Sequence, residues 1–251
     1  MKTLVAVATL LLSTVAFAQT PSVTRRRAVR PETPLTVAHR TVTIAASKDN
    51  TLYQTADGSA SNGAGPHLFA GATGNGELRR ALIAFNVTSQ IPPGSQVTRV
   101  VLTLHVSASI SGAQPMALHR VTADWGEGAS VAQPSPYVGG GDGRGTASKA
   151  GDATWIHAIY PDKRWTNAGG DFDATADATV TTGSSDYRWE SAAMIPRVQQ
   201  WLDEPRTNFG WIVIGNESTG TTTKKFDSRH VLLPTVPALT VEFDVTTPPA
   251  D

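Results

Sequence analysis

The stretch VVLTLHV at residues 100–106 decides the fold class. Large apolar side chains recur at every second position from Val100 to Val106, which is the period of a strand with one buried face. Residues 239–245 (LTVEFDV) alternate in the same way. Turn-forming residues separate nine shorter stretches of this kind, at residues 42–45, 50–53, 67–70, 81–87, 116–121, 154–159, 176–181, 211–214 and 224–227. We therefore predict an all-β fold, a two-sheet antiparallel β-sandwich with jelly-roll topology.

One short helix interrupts the strand pattern between Met194 and Asp203. Its apolar residues share one helical face. They are Met194, Ile195, Val198, Trp201 and Leu202. Pro196 is compatible with the first turn and Pro205 ends the helix. We predict that this helix covers one end of the sandwich, with Trp201 in the core.

The first eighteen residues have the composition of a secretory signal peptide. Lys2 precedes an apolar stretch at residues 4–12, and Ala16-Phe17-Ala18 forms a small-residue cleavage site. We expect a secreted protein, extracellular or periplasmic. Residues 19–40, with three prolines and five arginines, are predicted to be a linker, residues 41–246 the β-sandwich domain and residues 247–251 a disordered tail.

Composition narrows the range of partners. Lys plus Arg and Asp plus Glu number 21 each, so no net charge favours nucleic acid, and that partner is not expected. No later segment has the run of apolar residues that spans a membrane. The chain has no cysteine and cannot form disulfides. A monomer is predicted.

A catalytic motif is not recognisable in the sequence. It has no G-x-S-x-G, H-E-x-x-H or Walker pattern, and the glycine-rich residues 139–145 lack the flanking strand and helix of a phosphate-binding loop. We predict a non-enzyme. The alternative is a glycan-cleaving enzyme, in which the fold brings two acidic residues together to act as general acid and base.

Four tryptophans lie in a Gly- and Asp-rich stretch at residues 124–189, namely Trp125, Trp155, Trp165 and Trp189. Tryptophan in irregular backbone either closes a core or stacks on a ligand. Trp125 is predicted to close the sandwich edge, and the apolar stretch around Trp211 predicts a buried strand. The three others lie near charged residues and are predicted to stack on sugar rings, with Arg164 and Arg188 as hydrogen-bonding neighbours. Loop anchoring is the alternative for these three.

Five polar-aromatic segments occur in a characteristic order, at residues 49–53, 79–86, 123–128, 151–155 and 225–229. The matching residues are Asp49; Arg80, Ile83 and Phe85; Trp125 and Glu127; Thr154 and Trp155; Phe226, Ser228 and Arg229; and Pro237 and Leu239. In this order the chain resembles the DNRLRE-domain proteins of bacteria and archaea, and is similar to carbohydrate-binding module family 96 and to disaggregatase-related repeats.

The resemblance covers about residues 41–245. It implies a jelly-roll sandwich that acts with polysaccharide-processing enzymes, and some members bind acidic polysaccharides such as alginate. The chain departs from the usual arrangement because it carries no enzyme domain. Arg229 is predicted to be a further glycan-binding residue.

Closely spaced acidic residues predict a structural Ca²⁺ site. Asp171 and Asp173 lie two apart in glycine-rich sequence, which can supply carboxylate and carbonyl ligands. Asp49, Asp152 and Asp227 are predicted to join them if the fold brings them close. The alternative is that these carboxylates cap turns.

The resulting prediction is a secreted, non-catalytic carbohydrate-binding module for an extracellular or cell-wall polysaccharide, including an acidic one. The alternatives are a structural or adhesive surface protein without a glycan ligand, and a polysaccharide lyase or hydrolase. Exposed tryptophan faces would favour the first function and buried ones the second.

Overall fold

The computed structural model describes residues 35–183 and 186–247. The predicted signal peptide, residues 19–34 of the predicted linker and residues 248–251 of the predicted tail lie outside the described residues. The predicted linker boundary is wrong at its end, because the first strand begins at Thr36 and includes residues 36–40. These residues are held by ladder hydrogen bonding to the last strand, from Thr36 opposite Thr247 onward.

The described residues form sixteen strands and one α-helix. The strands are β1 (Thr36–Ala45), β2 (Lys48–Tyr53), β3 (Ala60–Ser61), β4 (His67–Ala72), β5 (Leu78–Ala84), β6 (Gln96–Leu104), β7 (Val106–Ser109), β8 (Gln114–Val121), β9 (Thr146–Ala147), β10 (His157–Ile159), β11 (Lys163–Arg164), β12 (Phe172–Thr182), β13 (Tyr187–Glu190), β14 (Trp211–Ile214), β15 (Lys224–Asp227) and β16 (Ala238–Thr247). The helix α1 spans Met194–Asp203. No helix in this part of the chain is both long and apolar enough to cross a membrane.

Two antiparallel sheets form the sandwich, as predicted. The smaller has the order β1-β16-β6-β13, and the larger has the order β12-β8-β14-β5-β4-β15-β7 with β2 paired to β5. The chain passes repeatedly from one sheet to the other, which is the crossing pattern that the jelly-roll prediction requires. In β16 the buried Leu239, Val241 and Phe243 alternate with more exposed residues, so one face of this sheet faces the core.

The stretch at residues 100–106 divides between the two sheets. β6 ends at Leu104 in the smaller sheet, and β7 begins at Val106 in the larger one. His105 lies at the crossing, where its carbonyl accepts a hydrogen bond from the backbone N–H of Asp227 (3.1 Å). The alternation of apolar and polar residues therefore continues from β6 into β7, although the chain leaves the smaller sheet and enters the larger one between them.

Helix α1 has the predicted bounds and the predicted buried face. Met194, Val198, Trp201 and Leu202 are buried against the sandwich core. The rings of Trp201 and Trp211 meet edge to face, with centroids 4.4 Å apart. Both tryptophans belong to the core, as the sequence predicts.

A layer of largely irregular chain covers the outer face of the larger sheet. This loop layer comprises residues 122–171 and contains only the short strands β9, β10 and β11. In β5 and β14, Ile83 and Val213 face the sandwich core, whereas Leu82 and Ile212 pack against the loop layer. Because these strands are apolar on both faces, the larger sheet needs a cover on each side.

Candidate functional site

The predicted stacking tryptophans are buried. Trp155 and Trp165 of the loop layer are 7 % and 6 % exposed and pack against the larger sheet. The guanidinium carbon of Arg80 lies 4.9 Å from the centroid of the Trp155 ring, so a cation of the protein already stacks on this indole. Trp165 donates its indole N–H to the carbonyl of Thr154 (2.9 Å). Both side chains anchor the loop layer, and only a small fraction of either is exposed.

Trp189 lies in the sandwich core rather than in the loop layer. It is 0 % exposed in β13, stacks on Tyr187 with ring centroids 5.4 Å apart, and donates its N–H to the carbonyl of Met116 (2.9 Å). Its neighbour Arg188 is exposed on the outer side of the smaller sheet, 3.6 Å from Glu190. The proposed stacking role of Trp189 is therefore wrong, because strand alternation turns its ring inward while Arg188 points outward.

The predicted calcium ligands do not form one group. Asp171 accepts backbone hydrogen bonds from Thr166 and Asn167 (both 2.9 Å), as a turn-capping carboxylate does. Asp173 pairs with Arg120 (2.8 Å). Asp227 accepts a hydrogen bond from the Thr235 hydroxyl. Each carboxylate is already bonded within its own region of the fold.

Asp49 instead lies in a polar group built from three distant segments. We call Asp49, Glu127, Arg229 and His230 the Asp49 cluster. The backbone N–H of Asp49 donates to Glu127 Oε1 (2.9 Å), and Asp49 Oδ2 accepts from the backbone N–H of Arg229 (2.7 Å). The Arg229 guanidinium donates to both Glu127 oxygens (3.1 and 3.0 Å). His230 Nε2 lies 3.5 Å from Glu127 Oε1. Glu127 is thus the centre of the cluster.

Burial gives Asp49 an unusual protonation state. The carboxyl is 1 % exposed. Desolvation raises its pKa to about 8, the nearby Glu127 charge acts in the same direction, and the hydrogen bond from Arg229 opposes them. At neutral pH Asp49 is therefore mainly neutral, while the partly exposed Glu127 pairs with Arg229.

The Asp49 cluster has the spacing of a metal site but not the chemistry of a calcium site. Within the described residues, Asp49, Glu127 and His230 are the one group whose possible ligand atoms all lie within 4.8 Å of one another. Ca²⁺ prefers six to eight oxygen ligands. Here one ligand is an imidazole, and the Arg229 guanidinium already contacts both oxygens of Glu127. These residues do not fit a calcium ion.

Buried polar side chains join the loop layer to the sheet around this cluster. Asn50 Nδ2 donates to the carbonyls of Glu127 (2.8 Å) and Ala153 (3.3 Å). Asp152, which is fully buried, accepts backbone hydrogen bonds from Ala129 (2.9 Å) and Lys149 (2.7 Å). The motif segments at residues 49–53, 123–128 and 151–155 therefore meet at one seam, although they are far apart in the chain.

A second buried polar group lies beside β4 and β15. His67 Nδ1 is 2.5 Å from Asp142 Oδ2, and His67 Nε2 is 4.0 Å from Asp227 Oδ1. Lys225 Nζ lies 3.7 Å from Asp142 and donates to the carbonyl of Ser135 (2.6 Å). Burial lowers the pKa of Lys225, and the Asp142 charge opposes this effect. These contacts hold the segment at residues 135–142 against the sheet, so we interpret this group as structural.

Cations follow one segment of the loop layer. We call Lys48, Lys163, Arg229 and Lys149 the cation row, because they contact residues 124–129 in that order. Lys48 binds the Asp124 carboxylate (3.0 Å), and Lys163 donates to the Asp124 carbonyl (3.1 Å). Arg229 binds Glu127 (3.0 Å), and Lys149 donates to the carbonyl of Ala129 (3.1 Å). Lys48 and Arg229 pair with the carboxylates of Asp124 and Glu127, whereas the Nζ atoms of Lys149 and Lys163 bond only backbone carbonyls.

Two of the predicted glycan-binding arginines belong to this region. Arg229 is a member of the cation row, and Arg164 is exposed in β11 next to Lys163. Arg188 lies on the smaller sheet. His230 is not among the residues predicted from the sequence, and Glu127 was predicted only as part of the ordered motif. Glu127 and Arg229 both belong to the ordered motif in the sequence, and that shared membership was the available sign that the two residues lie close together in the fold.

Neither a protein-family model nor a curated protein sequence matches this chain. The resemblance to DNRLRE-domain proteins stays a prediction. The fold and site define an all-β sandwich with a covering loop layer and a row of surface cations.

Proposed function

We propose that this chain is an exported, non-catalytic module that binds an anionic polysaccharide along the cation row. The observation that carries the proposal is the succession of Lys48, Lys163, Arg229 and Lys149 beside residues 124–129. A linear polyanion with one carboxylate or sulfate per sugar unit can contact several such cations at once.

The mode of binding differs from the sequence prediction. Trp155 and Trp165 are occupied in anchoring the loop layer, so aromatic stacking contributes little to recognition. Lys149 and Lys163 use single hydrogen bonds to backbone carbonyls and keep further donor capacity. Affinity would then depend on charge, and would fall as salt concentration rises.

The non-catalytic part of the proposal is supported by the burial of Asp49. Paired carboxylates with separated pKa values are the usual sign of acid–base chemistry. Here the group with the raised pKa is 1 % exposed and bonded to the backbone of Arg229. A glycosidic oxygen cannot approach this carboxyl without rearrangement of the cluster.

Affinity electrophoresis against neutral and anionic polysaccharides, including alginate, tests the proposal. We expect the anionic polymers to retard the chain and the neutral ones to leave its mobility unchanged. Lys149→Gln combined with Lys163→Gln should weaken retardation at least about tenfold, because two charge-assisted contacts are lost. Arg188→Gln, an exposed change on the smaller sheet, is the matched control and should bind as the parent chain does.

Assays for new reducing ends and for unsaturated products belong on the same samples. Product formation would replace the proposal with a lyase or hydrolase. Equal retardation of the double variant and the Arg188→Gln control would remove the cation row as the binding surface.

An adhesive function is the second candidate, and both the burial of Trp155, Trp165 and Trp189 and a set of exposed apolar side chains favour it. Val131, Tyr137, Leu232 and Leu233 are all exposed, Leu232 fully and Tyr137 to 76 %. Single exposed apolar residues are ordinary, but four in two loops suit contact with another protein or matrix. Absence of retardation by every polysaccharide, together with binding to a matrix protein that is lost in Tyr137→Ser, would favour this function.

A further inference from the structure

A lysine and an aspartate form a buried pair beside β4 and β15. Lys225 Nζ lies 3.7 Å from Asp142 Oδ2, and the two side chains are 4 % and 0 % exposed. Within the residues that the structure describes, lysine pairs with a carboxylate in one other place, Lys48 with Asp124, and both of those side chains are exposed to solvent. A buried ion pair is costly, because each charge loses its hydration. A reaction that converts the two charged groups into one neutral group removes that cost.

Burial and hydrogen bonding favour a nucleophilic amine at Lys225. Burial lowers the pKa of this side chain, whereas the charges of Asp142 and Asp227 act in the opposite direction. A lowered pKa increases the fraction of neutral amine, which carries the lone pair that attacks a carbonyl carbon. The carbonyl of Ser135 accepts a hydrogen bond from Nζ (2.6 Å), so the amine is held in one position beside Asp142.

Both oxygens of the Asp142 carboxyl have the partners that amide formation requires. The backbone N–H of Ser135 donates to Oδ1 (3.3 Å), the oxygen on which negative charge develops when the carbon is attacked. His67 Nδ1 lies 2.5 Å from Oδ2 and can deliver a proton to this oxygen as it leaves. His67 Nε2 in turn is 4.0 Å from Asp227 Oδ1. The carboxyl therefore has an N–H donor at one oxygen and a proton donor at the other, in a position that is closed to bulk water.

We propose that Lys225 and Asp142 join spontaneously in an intramolecular amide bond. Lys225 Nζ attacks Cγ of Asp142, the Nζ–Cγ bond forms, and the Cγ–Oδ2 bond breaks. Two protons leave the ammonium group and both end on Oδ2, one of them by way of His67, so that Oδ2 departs as water. The step neither takes up nor releases a proton overall, and it needs no oxidant or other co-reactant.

The amide bond would tie the sheet to the loop layer covalently. Lys225 lies in β15, whereas Asp142 belongs to the segment at residues 135–142 that packs against this strand. The chain has no cysteine, so a disulfide cannot make such a connection. The cross-link is separate from the binding of polysaccharide at the cation row and does not rest on it.

Mass spectrometry of the purified, folded chain tests the proposal directly. The chain should be lighter by one water molecule than its sequence from the same N-terminus requires, and the loss should persist after denaturation in urea. A tryptic digest should contain a branched peptide that joins residues 121–144 to residues 225–229. The exposed pair Lys48 and Asp124 is the internal control and should give only linear peptides. A chain with the full mass of its sequence, or a loss of water without the branched peptide, overturns the proposal.

Three variants assign the roles of the residues. Lys225→Arg keeps the positive charge but lacks an amine that deprotonates, so it should have the full mass. Lys224→Arg is the matched control, because Lys224 is also fully buried but its Nζ contacts only a hydroxyl and backbone carbonyls, and this variant should keep the branched peptide. His67→Gln should slow the loss of water in freshly synthesised chain at least about tenfold through loss of the proton donor.

The parent chain decides the proposal even if a variant fails to fold, since its mass and its branched peptide are measured without any substitution. A loss of water that persists in Lys225→Arg overturns the assignment of the amide to this lysine. An unchanged rate in His67→Gln overturns the role of His67 as the proton donor.

Discussion

Asp49 shows how burial changes the chemistry of a single side chain. Its carboxyl lies between β2, the loop layer and the segment after β15, and its Oδ2 accepts from the backbone of Arg229. One hydrogen bond does not offset the loss of water, so the neutral form is favoured up to about pH 8.

The raised pKa of Asp49 predicts a stability that decreases as pH rises. Between about pH 4 and 8 the folded chain holds a proton that the unfolded chain has released, since the ordinary pKa is 3.8 and the folded one is about 8. The free energy of unfolding should therefore fall by up to about 1.4 kcal/mol per pH unit in this window through this group, and level off above pH 8.

Urea unfolding of the parent chain and of Asp49→Asn at pH 5, 6 and 7 measures this effect. The variant keeps an oxygen acceptor for Arg229 but cannot ionise, so its relative stability should increase with pH. Asp57→Asn, in which the removed carboxyl is fully exposed, is the control and should run parallel to the parent chain. Parallel curves for Asp49→Asn and the parent chain would contradict the prediction.

Gly128 is required at the seam for two separate reasons. Its φ is +79°, a conformation that side chains with a Cβ rarely adopt, and an added Cβ would lie 1.6 Å from Asp152 Oδ1. Gly76 has almost the same φ, +81°, but an added Cβ there would meet open space. Substitution of Gly76 therefore carries only the cost of the backbone conformation, whereas substitution of Gly128 carries this cost and a steric clash as well.

Gly128→Ala should therefore destabilise the chain more than Gly76→Ala. We expect about 1–2 kcal/mol for Gly76→Ala from backbone conformation alone. Gly128→Ala should cost about 1–3 kcal/mol more, because the added methyl displaces the buried Asp152. Chemical unfolding of both variants gives the comparison, and equal losses would show that the seam adapts to a Cβ.

At the scale of elements, the loop layer is held to the larger sheet by tryptophans and buried polar groups. Residues 122–171 contain few ladder hydrogen bonds, so tertiary contacts must supply their order. Trp125 donates to the carbonyl of Phe209 (2.8 Å), and Trp165 donates to Thr154 (2.9 Å). The outer face of β5 and β14 in turn needs this layer as its cover.

Trp165→Ala should loosen the loop layer, whereas Tyr137→Ala should not. Trp165 is 6 % exposed and packs in the apolar cluster against the sheet, so its truncation is expected to cost about 3–5 kcal/mol. Tyr137 is an aromatic residue of the same layer that is 76 % exposed, and its loss should change stability by less than about 0.5 kcal/mol. Urea unfolding and limited proteolysis within residues 122–171 measure both. Equal resistance of the two variants to proteolysis would show that Trp165 does not anchor the loop layer to the larger sheet.

At the scale of the whole molecule, hydrogen-bond donors of the protein contact the carboxylates for which the sequence suggested a metal. Arg229 bonds Glu127 and Asp49, Arg120 bonds Asp173, and backbone N–H groups bond Asp171. These contacts occupy the carboxylates that the sequence analysis assigned to Ca²⁺. We therefore expect the stability of the chain to be independent of a divalent ion at these residues.

Thermal melting in millimolar Ca²⁺ and in EGTA tests this expectation. We predict melting temperatures that agree within experimental error, because a ligand raises stability only by binding the folded state. A rise in Ca²⁺ that disappears in Asp171→Asn would restore the predicted site. Asp162→Asn, an exposed change in the same layer, serves as the control.

Local pattern was sufficient for most strands and for the helix. The alternation in residues 239–245 and the apolar face of residues 194–203 predict elements that the structure confirms. The loop layer escaped prediction because it has no period; residues 154–159, for example, were predicted as a strand, but only His157–Ile159 form one. The division of residues 100–106 between two sheets also escaped it, since both sheets require the same alternation.

The sequence by itself determined that the chain is a β-sandwich with one helix, and that Trp201 and Trp211 are core residues. Periodicity depends only on neighbours in the chain, so it can be read without knowledge of the fold. Tertiary structure alone decided that Trp155, Trp165 and Trp189 are buried, and that Asp49, Glu127 and Arg229 meet. Those outcomes depend on strand pairing and layer packing between segments up to 180 residues apart, which no local pattern records.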